Sequence, residues 1–169
     1  MVGHCINRRD VLAGIGALTV VPKIAEAKDY IDLGWADLLP EGQTSVPPLL
    51  QSLIDHEQEN PMSLQSESLG VRTDWNGQIV RIPGFIVPID YSGVGVTAFI
   101  LVPFVGACVH VPPPPANQLV FVTTKTPYEN TGLYEPVNVI GMLGTVSTTT
   151  QFANVAYALS ANEIIPYKA

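Results

Sequence analysis

Four consecutive prolines, Pro112 to Pro115, constrain the fold of this chain more than any other feature. Each proline fixes φ and lacks a backbone N–H group, so the run fits neither a helix interior nor a central strand. It predicts a short polyproline II segment instead. Cys108 and His110 come just before this segment. The sequence therefore predicts a rigid corner that carries a thiol and an imidazole two residues apart.

The N-terminus has the features of an export signal. Arg8 and Arg9 precede an apolar run of nine residues, 13–21, which is followed by the small-residue site Ala25-Glu26-Ala27. The run is far shorter than the roughly 20 residues that span a bilayer. This order predicts a signal peptide for twin-arginine (Tat) export, cleaved after Ala27. We expect a mature protein in the periplasm, with no stable membrane insertion.

The charge of the mature chain limits the classes of partner that it can bind. Residues 28–169 carry 5 Lys and Arg against 13 Asp and Glu, a net charge of −8. Nucleic acids and anionic membranes attract basic surfaces, so this acidity argues against both as partners. Cys5 lies within the predicted signal, which leaves Cys108 as the single thiol and excludes an intramolecular disulfide in the mature chain.

Glycine and proline divide the mature chain into two regions. Residues 28–73 are predicted to be a helical arm and connection, with a packing segment at 30–40 and an amphipathic helix at 47–59. Residues 74–169 are predicted to form a mainly β domain, in which Pro83-Gly84 bends the first strand and residues 153–160 begin as a helix. The predicted strands cover residues 78–89, 96–104, 118–124, 137–146 and 161–166. Five strongly curved strands indicate a small closed barrel.

Three polar residues of the β region also have predicted partners. Arg81 lies in an apolar strand, and we expect it to pair with Asp74 or Asp90 at the surface. Asn117 and Gln118 follow the proline run, and we expect their amides to bind backbone groups where the next strand begins.

Cys108 and His110 support three interpretations. In an extended chain, residues i and i+2 point to the same side, so the pair could chelate zinc or copper. The same pair could act as nucleophile and base, although no G-x-S-x-G, CxxC or HExxH motif accompanies it. Cys108 could also be a buried core residue. A metal site would need further ligands, and the candidates are His56, Glu57, Glu59, Asp90, Glu129 and Glu135.

Four segments of the chain carry a resemblance to a known family. They are Trp35 to Pro40, Asn76 to Pro88, Phe99 to Gln118 and Glu135 to Gly141. The most specific of them contains the pattern GACxHxPPPPxNQ at residues 106–118. Together they resemble a bacterial family of exported proteins of unknown function, several of which are encoded beside a MacB-like ABC transporter, sometimes in zinc-responsive gene clusters. The resemblance implies an OB-like barrel and places Cys108 and His110 in the family signature.

These observations lead to two main hypotheses and one weaker one. The first is a periplasmic metal-binding accessory of an envelope ABC transporter, in which Cys108 and His110 bind zinc or copper. The second is a noncatalytic protein-interaction module in which Cys108 is buried. A thiol enzyme that uses Cys108 and His110 is the weaker alternative, because it would also need a depressed thiol pKa and a substrate pocket.

Overall fold

Strands make up most of the described chain. The computed structural model describes residues 29–43, 65–68, 70–108 and 113–167. The strands are β1 (Ile31–Asp32), β2 (Ile79–Ser92), β3 (Gly95–Val102), β4 (Val120–Tyr128), β5 (Pro136–Thr149) and β6 (Asn154–Pro166). Two 3₁₀ helices, Trp35–Leu38 and Ala116–Gln118, are the helical elements of this part of the chain.

Strands β2 to β6 close into a five-stranded barrel. The order around the barrel is β2-β3-β4-β6-β5, and β5 returns to pair with β2. All neighbours are antiparallel except β4 and β6, which run parallel. This strand order is that of a five-stranded OB-like barrel, and it confirms the predicted mainly β fold. Strand β1 adds a short parallel pair to β2 outside the barrel.

Strand β2 is long enough to serve both halves of the barrel. Residues 79–85 pair with β5 and residues 85–92 pair with β3, so Phe85 belongs to both ladders. The ladders have no register shift at Pro83-Gly84, where the sequence predicted a bend or bulge; the irregularities lie on either side of Asp90. Gly84 is required by close packing instead, because a Cβ atom there would lie 2.9 Å from the carbonyl oxygen of Val102.

Alternating side chains build two apolar clusters, one on each face of the sheet. Successive residues Ile86 and Val87 belong to different clusters, and so do Leu101 and Val102. The interior cluster consists of Leu33, Leu38, Val80, Ile82, Ile86, Val96, Phe99, Leu101, Val120, Val122, Val137, Val139, Leu143, Tyr157 and Leu159. The outer cluster consists of Val87, Ile100, Val102, Ala107, Cys108, Leu119, Ala153 and Val155.

The segment before β2 packs as part of the barrel. Leu33 and Leu38 belong to the interior cluster, and the indole nitrogen of Trp35 donates to the carbonyl oxygen of Pro83 at 2.8 Å. The indole of Trp75 donates to the carbonyl of Asp37 at 3.0 Å. Within residues 29–43 the only helix is the turn Trp35–Leu38. The predicted signal at 1–27 and the predicted helix at 47–59 lie outside the described residues.

Two local predictions for the β region are wrong. Residues 154–166 are strand throughout, with no helical start, because Val155, Tyr157 and Leu159 alternate with more exposed neighbours and fill the sheet. Arg81 pairs with Asp32 of β1 rather than with Asp74 or Asp90, since the parallel register places Asp32 directly opposite it. No helix of the described residues is long and apolar enough to cross a membrane.

Candidate functional site

The corner around Cys108 covers the outer face of the barrel. Strand β3 ends at Val102, and the chain turns back over the sheet through Gly106, whose φ is +95°. Ala107 and Cys108 then pack onto the outer cluster. In OB folds the outer surface of the second and third strands is the usual ligand-binding face, and those strands are β3 and β4 here. This chain therefore covers part of that face with its own polypeptide.

Cys108 is a buried residue with an unusual backbone conformation. Its exposed fraction is 3%, and its φ of +67° lies in the left-handed region that residues with a side chain seldom adopt. Burial raises the pKa of the Cys108 thiol to about 12, so the thiol is neutral at physiological pH. A nucleophilic cysteine needs the opposite shift, because the thiolate is the reactive form.

Tyr134 holds the corner in place from the loop between β4 and β5. Its hydroxyl donates a hydrogen bond of 2.9 Å to the carbonyl oxygen of Ala107. Its backbone N–H donates to the carbonyl of Ile86 at 2.8 Å, and its φ is +61°. Burial and the neighbouring Cys108 raise the pKa of the Tyr134 phenol to about 12. The sequence reasoning missed Tyr134, because no motif marks a residue that lies 27 positions beyond its partner.

Asn117 and Gln118 connect the far side of the corner to the N-terminal segment. The side-chain amide of Asn117 donates to the carbonyl of Gly70 at 2.8 Å, and that of Gln118 donates to the carbonyl of Trp35 at 3.0 Å. Both residues are buried. The amides bind backbone groups as predicted, but these carbonyls belong to the N-terminal segment and not to the start of the next strand. Asn117 Oδ1 has no hydrogen-bond partner among the described residues.

The candidate metal ligands fall into two groups. His110, His56, Glu57 and Glu59 lie outside the described residues. Of the others, Glu135 accepts hydrogen bonds from the Tyr128 hydroxyl and the Thr131 N–H, and Asp90 accepts one from the N–H of Tyr91. Glu129 is exposed. In the part of the chain that the structure describes, no three His, Cys, Asp or Glu residues lie close enough together to hold a metal ion.

An apolar rim surrounds the buried corner. Phe104 and Tyr134 are half-buried against the outer cluster, whereas their neighbours Val105 and Leu133 expose 61% and 48% of their surface. The hydrogen bond between Tyr134 and Ala107 joins the two loops that carry these side chains. Phe85, Phe121 and Phe152 are also half-buried against the same cluster. The corner combines a buried thiol with a partly exposed apolar surface.

These features define an OB-like barrel in which a cysteine-containing corner covers part of the outer face. The chain belongs to the DUF3299 family, described as proteins of unknown function, and the family model matches residues 35–166. The match includes the barrel, the corner and the prolines.

A solved structure has the same fold. The crystal structure of a DUF3299 family protein from Pseudomonas aeruginosa PAO1 is 32% identical in sequence and matches with a TM-score of 0.72. The similarity covers 83% of this chain and 97% of that one. No curated protein matches the sequence.

Proposed function

We propose that this chain is a noncatalytic binding module of the cell envelope that docks a partner protein through the surface around the Cys108 corner. The observation that carries the proposal is the state of the thiol, which is buried in an apolar cluster and has a pKa raised to about 12. Such a thiol stabilises the corner by packing and does not attack substrates. A surface that carries such a thiol is better suited to recognition than to catalysis.

The docking surface consists of Phe104, Val105, Leu133 and Tyr134. Val105 and Leu133 expose large parts of their apolar side chains, and contiguous exposed apolar surface is typical of protein-interaction sites. Because the Tyr134 hydroxyl binds Ala107, the two loops are held together before a partner arrives. A preorganised surface loses little conformational entropy on binding.

The proposed location and partner follow from the export signal and the family context. Twin-arginine export would place the mature chain in the periplasm, where a MacB-like ABC transporter presents its extracytoplasmic domain. Glu129 and Glu135 flank Leu133 and Tyr134, and residues 103–108 and 113–119 carry no charged side chain. The surface is therefore apolar with a negative border, which favours a partner surface that is apolar with basic residues at its edge.

A double variant and a single-substitution control test this surface. Val105→Asp combined with Leu133→Asp places charges in the proposed contact, whereas Val94→Asp changes a side chain that is 80% exposed in the turn between β2 and β3. Isothermal titration with the extracytoplasmic domain of the transporter should show at least about a tenfold loss of affinity for the double variant, which corresponds to about 1.4 kcal/mol. The Val94→Asp control should bind like the parent protein.

Failure of the parent protein to bind would exclude this transporter as the partner. Equal binding by the parent and the double variant would show that the contact lies elsewhere on the barrel. Circular dichroism of both variants establishes that they are folded.

A metal site at Cys108 and His110 is the second candidate, and the left-handed backbone of Cys108 favours it. Backbone strain of this kind concentrates at functional sites. Zinc or copper would have to displace the thiol proton, and His56 or a carboxylate would complete the ligand set. Elemental analysis of chelator-free protein decides the matter. Stoichiometric metal that is lost in Cys108→Ser would establish the site, and protein without metal would eliminate it.

A further inference from the structure

Asn76 and Gly77 form the exposed turn that leads into β2. The N–H of Asn76 donates to the carbonyl of Thr73 at 3.1 Å, and Gly77 has a φ of +75°, which suits a residue without a side chain. This is the only Asn-Gly pair in the sequence. We propose that Asn76 is a deamidation site of this protein and that its contact with Thr145 of β5 sets the rate of the reaction.

The reaction needs no cofactor. The backbone nitrogen of Gly77 attacks Cγ of Asn76, the Cγ–Nδ2 bond breaks, and the amide nitrogen leaves as ammonia after taking up the proton that Gly77 releases. The product is a succinimide, and water opens it at either carbonyl to give aspartate or isoaspartate. Glycine favours the attack because no side chain shields its nitrogen. The exposed position of Asn76 gives water free access to the succinimide.

The native fold holds both reacting groups away from this chemistry. The N–H of Gly77 donates to the carbonyl of Leu143 at 2.8 Å, so the attacking nitrogen is already engaged. The side chain of Asn76 makes two bonds to one residue: Nδ2 donates to Oγ1 of Thr145 at 3.1 Å, and Oδ1 accepts from its N–H at 2.8 Å. Deamidation therefore requires the contacts between this turn and β5 to open first.

The two products differ in their effect on the barrel. Aspartate at position 76 keeps an oxygen that can accept the N–H of Thr145. Isoaspartate adds one atom to the backbone, which moves Gly77 out of register with Leu143 and removes the connection of the turn to β5. The isoaspartyl form thus loses the contact that fixes the start of β2 where the barrel closes.

Thr145→Val tests the role of this contact. Valine has the shape of threonine and keeps the backbone N–H, so the variant loses the hydrogen bond to Asn76 Nδ2 and little else. We expect deamidation at Asn76 to become about fivefold faster, the change in open population expected from one neutral hydrogen bond. Peptide mapping by mass spectrometry and an isoaspartate assay measure the rate during incubation of the folded protein at mildly alkaline pH.

Thr148→Val is the matched control, because it makes the same change on the same strand without touching Asn76. It should deamidate like the parent protein, and the parent protein in urea should react much faster than in buffer. Equal rates for Thr145→Val and Thr148→Val would overturn the proposal. Equal rates for folded and urea-unfolded protein would overturn it as well, because the fold would then offer no protection.

Discussion

The hydroxyl of Tyr134 donates a hydrogen bond to the carbonyl oxygen of Ala107, and this bond joins two loops that leave the barrel at the ends of different strands. Both residues contact the outer cluster, and Ala107 is fully buried. Tyr134 and Cys108 are also the two residues other than glycine with positive φ in the described part of the chain. Tyr134 therefore holds the corner in place, and its backbone has the same left-handed conformation as that of Cys108.

Removing this hydrogen bond should weaken the fold. Tyr134→Phe leaves the buried carbonyl of Ala107 without its donor, and we expect the free energy of unfolding to fall by about 1–2 kcal/mol. Urea denaturation followed by fluorescence measures the change. Tyr91→Phe is the control, because Tyr91 is 54% exposed and should tolerate the change without loss. Equal stability of the two variants would show that the bond contributes nothing measurable.

The Cys108 thiol should make stability fall at high pH. The unfolded thiol ionises near its usual pKa of 9.0, whereas the folded one has a pKa of about 12. Below pH 9 both states keep the proton and the contribution of Cys108 is constant. Above it only the unfolded state releases the proton, so the free energy of unfolding should decrease by up to about 1.4 kcal/mol per pH unit.

Cys108→Ala should remove the part of this decrease that comes from the thiol, which begins about one pH unit below the tyrosine part because the unfolded thiol ionises near 9.0 and unfolded tyrosines near 10.0. Tyr128 and Tyr134 have pKa values raised from 10.0 to about 12, and burial also raises the pKa of Tyr157, so these tyrosines add a second decrease at higher pH in both proteins. Denaturant titrations across this range measure both effects. An identical slope in the alanine variant would contradict a buried, neutral thiol.

Two glycines of β5 provide a test of how closely the barrel is packed. A Cβ atom at Gly141 would lie 2.2 Å from the carbonyl oxygen of Ser160, whereas one at Gly144 would meet nothing within 4 Å. We expect Gly141→Ala to destabilise the protein by about 1–3 kcal/mol or more. Gly144→Ala should be neutral or slightly stabilising, because it restricts the unfolded chain. Thermal unfolding of the two variants, compared side by side, shows whether β5 packs against β6 as closely at Gly141 as the structure indicates. Equal melting temperatures would contradict this close packing.

The buried hydroxyl of Tyr157 connects three parts of the chain. It donates to the carbonyl of Leu38 at 2.7 Å and accepts from the N–H of Arg72 at 2.6 Å. Tyr157→Phe should cost about 1–3 kcal/mol, since both backbone groups lose their partner. Hydrogen exchange should show faster exchange of the Arg72 amide. In Tyr167→Phe, which alters a half-exposed side chain at the end of the chain, that amide should exchange as in the parent protein.

Much of the barrel could be predicted from the sequence, because its strands are rich in β-branched residues and are separated by glycine and proline. The prediction was wrong at β6, where alanines and a serine at the more exposed positions obscure the alternation of Val155, Tyr157 and Leu159. The ion-pair partner of Arg81 was harder to predict. Arg81 pairs with Asp32 because β1 joins β2 in parallel, and a two-residue strand leaves almost no periodic signal.

At the corner, the sequence singled out Cys108 but could not show whether its thiol is exposed or buried. The spacing of Cys108 and His110 favoured a metal-bound thiol over a buried one, with a catalytic thiol as the weakest alternative. The structure shows the buried thiol, because the corner lies over outward-facing apolar residues of β2 and β3, among them Val87 and Ile100. That cover depends on tertiary packing between segments distant in the sequence, which local patterns do not report.

The double pairing of β2 has a kinetic consequence. Its second half pairs with the next strand along the chain, which can form early as a hairpin, but its first half waits for β5, whose partner residues lie more than fifty positions downstream. Bringing such distant segments together costs loop entropy before any contact compensates for it. We therefore expect the protein to fold slowly for its size, with the meeting of β2 and β5 among the last events.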